Sequence, residues 1–215
     1  MKISAVIFDL NGTILEDEDE YGKAFNRVLK SLGVSSKTDY PHEKGIGVKE
    51  NWLRLLEKYK IKTDKTPEML TKETQEAYLT EIDEVTVRPG FEDFVEKLKD
   101  SGIEVALATS NTWEHVDRVL DTVNLQGVFD AVTTSDEVIY NKPDPGIFTI
   151  TADKLGTERY ECLVIEDSAS GIEAAKRAGM KVIAISSEDD PKAVSKADLI
   201  VDGFSEITAQ VIDQL

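Results

Sequence analysis

The 215-residue chain has one cysteine, Cys162, and two histidines, His42 and His115. A single thiol excludes an internal disulfide framework and a cysteine-rich zinc centre, and two imidazoles leave little material for a histidine-based metal site. Positive charge is scarce too: 25 Lys plus Arg stand against 42 Asp plus Glu, a formal charge of −17. Such a surface repels phosphate backbones and anionic lipid, so neither nucleic acid nor a membrane surface is an expected partner. A few local lysines can still reverse the field for an anionic small molecule. Long apolar runs are missing as well. Asp9 interrupts the first apolar stretch too early for a signal peptide or membrane span, and no later run approaches the ~20 residues a span needs. What is present is ordinary and globular. An apolar fraction of 40% with 31% charged residues excludes wholesale disorder. The length corresponds to between one and two domains of ~150 residues. The expectation is a cytoplasmic protein, monomeric or weakly dimeric, acting on a small molecule.

Short apolar runs recur at residues 3–8, 103–108, 131–132, 163–165, 182–185 and 199–201, each long enough for a buried strand and too short for a helix. Helical patterns separate them. Phe91, Phe94, Val95 and Leu98 have helical spacing behind Pro89, with Gly102 as the stop. Val116, Val119 and Leu120 form another stripe. Asp144 and Pro145 predict a helix start, and Ser170 with Glu173 predicts a capping box before a helix that Gly179 ends. Strand alternating with helix predicts an α/β fold with a doubly wound parallel sheet. The interval 16–87 breaks this rhythm. It shows no convincing buried strand but three amphipathic patterns, around Phe25, around Trp52, and after Thr66-Pro67. A small helical cap domain over 16–87, inserted in a core of residues 1–15 and 88–215, is therefore expected.

In open parallel sheets ligands bind beyond the carboxyl ends of the strands, and the polar residues collect there. The first strand runs into Asp9-Leu10-Asn11-Gly12-Thr13 and the second into Thr109-Ser110-Asn111. Lys142 follows the third in Asn141-Lys142-Pro143-Asp144-Pro145, and the fourth ends in Glu166-Asp167-Ser168. Carboxylates, hydroxyls and one lysine at neighbouring strand ends suit a phosphate and a hard cation.

The order and spacing of these four segments resemble the haloacid dehalogenase superfamily, in its capped phosphatase and beta-phosphoglucomutase-like branch. The resemblance spans essentially the whole chain. It implies Mg²⁺-dependent phosphoryl transfer from a small phosphorylated metabolite through an aspartyl phosphate. On that resemblance Asp9 is the nucleophile. Thr109 hydrogen-bonds the transferring phosphoryl group, while Lys142 neutralises its charge and orients the nucleophile. Glu166 and Asp167 place Mg²⁺, together with Asp9 and the backbone carbonyl of Asn11. The chemistry is coherent: a carboxylate attacking a phosphate dianion needs positive charge at that point, which a divalent cation and a lysine supply. Gly12 allows close backbone approach to phosphoryl oxygens, and the amides of Ser110 and Asn111 can join it.

One position departs from the pattern. The family's phosphatases and mutases carry Asp two residues after the nucleophile as general acid and base; here it is Asn11. An amide cannot fill that role near neutral pH, and such a loss typically costs ~10²–10⁴ in rate. Either a natural substitution marks altered chemistry or the change traps a complex. The resemblance also associates mutases with a histidine where this chain has Tyr21 or Gly22, so hydrolysis is favoured. Alternatives are a phosphomutase, a haloacid dehalogenase, and a protein that binds a phosphorylated ligand without turnover.

The loop 43–49 is the expected specificity element, with Lys44 and Lys49 meeting a distal anionic group of the substrate. His42 and His115 are expected at the surface, the acidic run 16–20 on a solvated face, Ser110 and Asn111 as caps of the next helix, and Cys162 in the core.

Overall fold

The computed structural model describes residues 2–186 and 194–215. The six apolar runs become the strands β1 (Ala5–Phe8), β4 (Glu104–Ala108), β5 (Ala131–Thr133), β6 (Cys162–Glu166), β7 (Lys181–Ile185) and β8 (Leu199–Val201). They form one parallel sheet in the order β5-β4-β1-β6-β7-β8. Parallel strands need helical crossovers, and these cover both faces, so the central strands are apolar without interruption. Val6, Phe8, Leu107 and Ile165 join one core cluster with Phe91, Phe94 and Val116. Ala5, Ile7, Ala106 and Val164 join a second with Phe148 and Ile172. The first cluster is fed by α4 (Phe91–Asp100) and α5 (Trp113–Thr122), the second by α6 (Gly146–Leu155) and α7 (Ala169–Arg177). Cys162 is fully buried in β6.

Helix ends follow local chemistry, with three corrections. The cap of α7 is Ser168, whose Oγ accepts from Gly171 N at 3.0 Å. Ser170 instead donates to Gly45 O at 2.8 Å, and Glu173 pairs with Arg177 and Lys196, so the expected Ser170–Glu173 capping box is absent. Helix α6 begins one residue later than expected, at Gly146, whose N–H is held by Asp144 Oδ1 at 2.9 Å. Helix α5 is entered through Thr112, and its first N–H goes to Asp136 Oδ2 at 2.7 Å. Ser110 and Asn111 therefore cap nothing there.

Between β1 and α4 lie α1 (Glu18–Ser31), α2 (Val48–Lys58) and α3 (Pro67–Leu79). They pack on Phe25, Trp52 and Tyr78, all fully buried, and Trp52 Nε1 donates to Thr74 Oγ1 at 2.8 Å. Thr66 caps α3 with Pro67 in its first turn, as its sequence predicts. The two chain crossings are themselves paired. β2 (Leu15–Glu16) and β3 (Thr86–Val87) make a short antiparallel ribbon, too short for period-two patterning to reveal. Arg88 fastens it, donating to Gly12 O at 2.7 Å, Thr13 O at 3.0 Å and Glu16 Oε1 at 3.1 Å. Among the described residues no helix is long and apolar enough to cross a membrane.

Candidate active site

Asp9, Thr109 and Glu166 stand at the carboxyl ends of β1, β4 and β6, and the loop after β5 brings Lys142 between them. Lys142 is almost wholly buried. Its Nζ donates to Asp9 Oδ1 at 2.5 Å, Glu166 Oε1 at 2.8 Å and Ala108 O at 3.2 Å. Burial alone would lower the lysine pKa, but the charges of Asp9 and Glu166 hold it above its ordinary value. Burial raises Asp9 to about 6, with Glu166 adding and Lys142 opposing. Asp167 is raised well above the usual carboxylate range by burial, then by Glu166, Asp9 and Glu18.

Glu166 has little acceptor capacity left. Its Oε2 receives Asp167 N at 2.9 Å, Ser168 N at 2.7 Å and Ser168 Oγ at 2.8 Å. Glycines make room for these carboxylates. At Gly12 (φ +80°) a Cβ would lie 2.1 Å from Asp167 Oδ2, and at Gly171 it would lie 1.6 Å from Glu166 Oε1. Asp167 Oδ1 also accepts from Thr13 Oγ1 at 3.2 Å.

Three clustered carboxylates against one lysine leave an excess of negative charge in a buried place. Among the described residues no three Asp, Glu, His or Cys side chains stand in ready ligand geometry, since Lys142 occupies the space between Asp9 and Glu166. The donor set is nonetheless all oxygen and in excess of its one cationic partner, which fits a hard divalent cation.

Asn11 is committed on both sides. Its Nδ2 donates to Asp17 Oδ2, and its Oδ1 accepts from Asn111 Nδ2 at 2.6 Å. Asp17 also receives Gly12 N at 3.2 Å and Tyr78 OH at 2.8 Å. Burial pushes its pKa up to about 7, with Asn11 and Tyr78 opposing. The network continues from Asn111 Oδ1 to Tyr21 OH at 3.1 Å and on to His115 Nε2 at 3.0 Å. His115 is buried, and burial with nearby Arg118 lowers its pKa to about 3, so it is a neutral imidazole near pH 7.

Two surface expectations are thereby corrected. His115 is a core polar group. Asp17 and Glu20 are buried although they belong to the acidic run 16–20. The signal lay in helical phase: Asp17 and Glu20 fall on the stripe of Tyr21, Ala24, Phe25 and Val28. Composition concealed it.

A cleft opens on this floor of Asp9, Asn11, Thr109, Ser110, Asn111 and Asp167. Thr109 is buried, with Oγ1 accepting from Asn111 N at 3.3 Å, and Ser110 Oγ has no partner. The opposite wall comes from the helical insertion and includes Glu18, His42, Lys44 and Asn51. Lys49 is elsewhere, paired with Glu68 at 2.7 Å. His42 is not a surface residue either: its side chain is 6% exposed and its ring stacks on Phe25 at 4.7 Å.

The family model for haloacid dehalogenase-like hydrolases matches residues 6–185. The chain belongs to that family. It is 32% identical over 202 residues to the "Phosphorylated carbohydrates phosphatase" of Thermotoga maritima, covering 92% of this chain and 93% of that one. Among solved structures, beta-phosphoglucomutase from Clostridium difficile superposes with a TM-score of 0.87 at 27% identity, over 99% of this chain and 96% of that one. CbbY from Rhodobacter sphaeroides in complex with phosphate gives 0.86 at 25% identity, over 98% and 99%. The doubly wound sheet expected from the strand–helix rhythm is thus the core of a haloacid dehalogenase-like hydrolase, in its phosphatase and phosphomutase branch.

Proposed function

We propose that this hydrolase is a Mg²⁺-dependent phosphatase for monoesters of small, sugar-like metabolites, working through an aspartyl phosphate on Asp9. The observation that carries this reading is the buried Asp9–Lys142–Glu166 arrangement beside Asp167, at the floor of a cleft walled on its other side by the helical insertion. The names of relatives that act on phosphorylated carbohydrates support it. Asp9 attacks phosphorus, the ester P–O bond breaks, and the leaving alkoxide takes a proton from solvent water, Asn11 having none to give. Water then displaces phosphate from Asp9. Lys142 holds Asp9 ionised and aimed, and Thr109 with the Ser110 and Asn111 amides receives phosphoryl oxygens. Asp9, Asp167 and the Asn11 carbonyl would hold Mg²⁺, whose chemistry is to neutralise charge between carboxylate and phosphate. Glu166 joins them only by releasing one of its present donors. The insertion 16–87 acts as the cap over a core of residues 1–15 and 88–215.

Asn11 makes the enzyme slow on alkyl esters, because its amide neither protonates a leaving oxygen nor activates water. With Tyr21 or Gly22 where the mutase resemblance would have histidine, hydrolysis is the better reading than phosphoryl shuttling. The test is phosphate release from phosphosugars, phosphoacids and p-nitrophenyl phosphate, with Mg²⁺ and with chelator, beside Asp9→Asn. Mg²⁺-dependent release abolished in Asp9→Asn is the expected result. Calorimetry showing no Mg²⁺ binding, with or without a phosphate analogue, overturns the reading and revives the dehalogenase. Mg²⁺ and phosphosugar binding without any release would leave a binding protein.

A further inference from the structure

Glu18 is the first residue of α1, yet its side chain turns into the cleft, facing the phosphate floor from the cap side. Its Oε1 lies 3.0 Å from His42 Nε2, in a ring stacked on Phe25. No hydrogen bond of acceptable geometry reaches that oxygen, so the carboxylate keeps acceptor capacity. Its Oε2 lies 3.9 Å from Lys44 Nζ. Lys44 is the one lysine among the described lining residues, Lys142 being buried beneath the floor. The other cap acid there, Glu43, pairs outward with Arg54. The distal end thus offers an anionic acceptor and one lysine already beside it. A second phosphate or carboxylate on the substrate would meet Glu18 without a free cation to balance it, whereas a hydroxyl could donate to it.

We propose that Glu18 makes the cleft select phosphate monoesters whose leaving group is neutral and hydroxyl-bearing, and turn away esters carrying a second anionic group. This deepens the phosphatase reading and rests on it for the position of the phosphate. It also replaces the expected paired lysines with an opposite rule, since like-charge juxtaposition is a common means of rejecting a wrong partner.

The test compares glucose 6-phosphate with 6-phosphogluconate, an open-chain acid with a carboxylate that the sugar lacks, on the wild-type chain and on Glu18→Gln, whose change in the affinity ratio isolates the charge from the difference in shape. Binding with Mg²⁺ is read by calorimetry and by the melting-temperature shift. Wild type should bind glucose 6-phosphate at least about tenfold more tightly, as expected where one like charge is juxtaposed. Glu18→Gln should bring the two within about threefold, mainly by admitting 6-phosphogluconate, since only the repulsive charge is gone. Its kcat/KM for p-nitrophenyl phosphate, an ester with no distal anion, should change less than its affinity for 6-phosphogluconate. An unchanged ratio in Glu18→Gln, or equal wild-type affinities, overturns the proposal. Discrimination in binding with no hydrolysis of any ester sinks the phosphatase reading and leaves the role of Glu18 standing. Failure of both sugars to bind sinks both.

Discussion

An aspartate at position 11 would not stand alone here. The Asn11 amide donates to Asp17, so Asn11→Asp sets two carboxylates against each other in a buried place, and one must hold a proton or turn away. The single variant should gain alkyl phosphate turnover, but less than the ~10²–10⁴ that a free general acid is worth. Asn11→Asp with Asp17→Asn restores one acid and one amide in exchanged positions and should approach the full gain. Steady-state kcat on glucose 6-phosphate for wild type and the two variants checks this; equal rates for the single and double variants would show that Asp17 does not constrain position 11. That Asp9, Lys142 and Asp167 come together was legible because Asp9 and Asp167 directly follow strands and Lys142 stands in the same ordered series of motifs. Asp17, Tyr21 and His115 were not. Their positions depend on how α1 docks on α5, and one-dimensional polarity reads a buried acid as a solvated one.

At the scale of elements, the start of α7 repeats the lesson. The sequence pattern puts the cap at Ser170, and the structure puts it at Ser168, because the path of β6 into the helix starts α7 at Ala169. Ser168→Ala removes the cap and one donor to Glu166, a loss of about 1–3 kcal/mol in chemical unfolding. Ser170→Ala should stay within about 0.5 kcal/mol, as an ordinary partly exposed change does. A reversed order would restore the capping box. Gly171→Ala would drive a methyl group into Glu166 Oε1, disturbing the partner that holds Lys142. A misplacement of this size typically costs ~10² in rate, so kcat on p-nitrophenyl phosphate should fall by that order. The strand–helix alternation made the sheet readable, because buried parallel strands are apolar without a break. The β2–β3 ribbon was hidden, since two residues carry no period. Lys49 shows a further limit. Lysine in a loop beside a site reads as a substrate contact until the facing helix supplies Glu68. Lys49→Ala should therefore leave KM for glucose 6-phosphate unchanged, which kinetics on that variant checks directly.

For the whole molecule, the raised carboxyls set a pH dependence. Asp9 near 6, Asp17 near 7 and Asp167 well above its usual range bind protons more tightly folded than unfolded. The contribution of Asp9 and Asp17 to stability is complete below about pH 4 and is lost as pH rises through 6 to 7, and the raised Asp167 acts in the same direction. The formal charge of −17 acts in the same direction by self-repulsion. In chelator the melting temperature should fall between pH 5 and pH 8. Mg²⁺ requires the ionised forms of Asp9 and Asp167, so its stabilisation should be larger at pH 8 than at pH 5. Differential scanning calorimetry across that range, with and without Mg²⁺, reads both slopes. A chelated protein whose melting temperature climbs with pH would show these carboxyls to be ionised at no cost.

The strand order has a consequence for how the chain comes into being. β1 is made first yet lies in the middle of the sheet, and Val6 finds its neighbours only in Val105 and Leu163. During synthesis its apolar residues wait without partners while α1, α2 and α3 emerge and can pack on one another around Trp52 and Tyr78. Contacts of such long sequence separation slow folding and leave strand edges open to other chains. The late strand β6 closes the gap beside β1, and in the same motion it carries Glu166 to Lys142. Both sides of β1 are paired and the candidate active site is assembled in one step, before β7 and β8 extend the sheet, so a nascent chain that has not yet delivered β6 has neither.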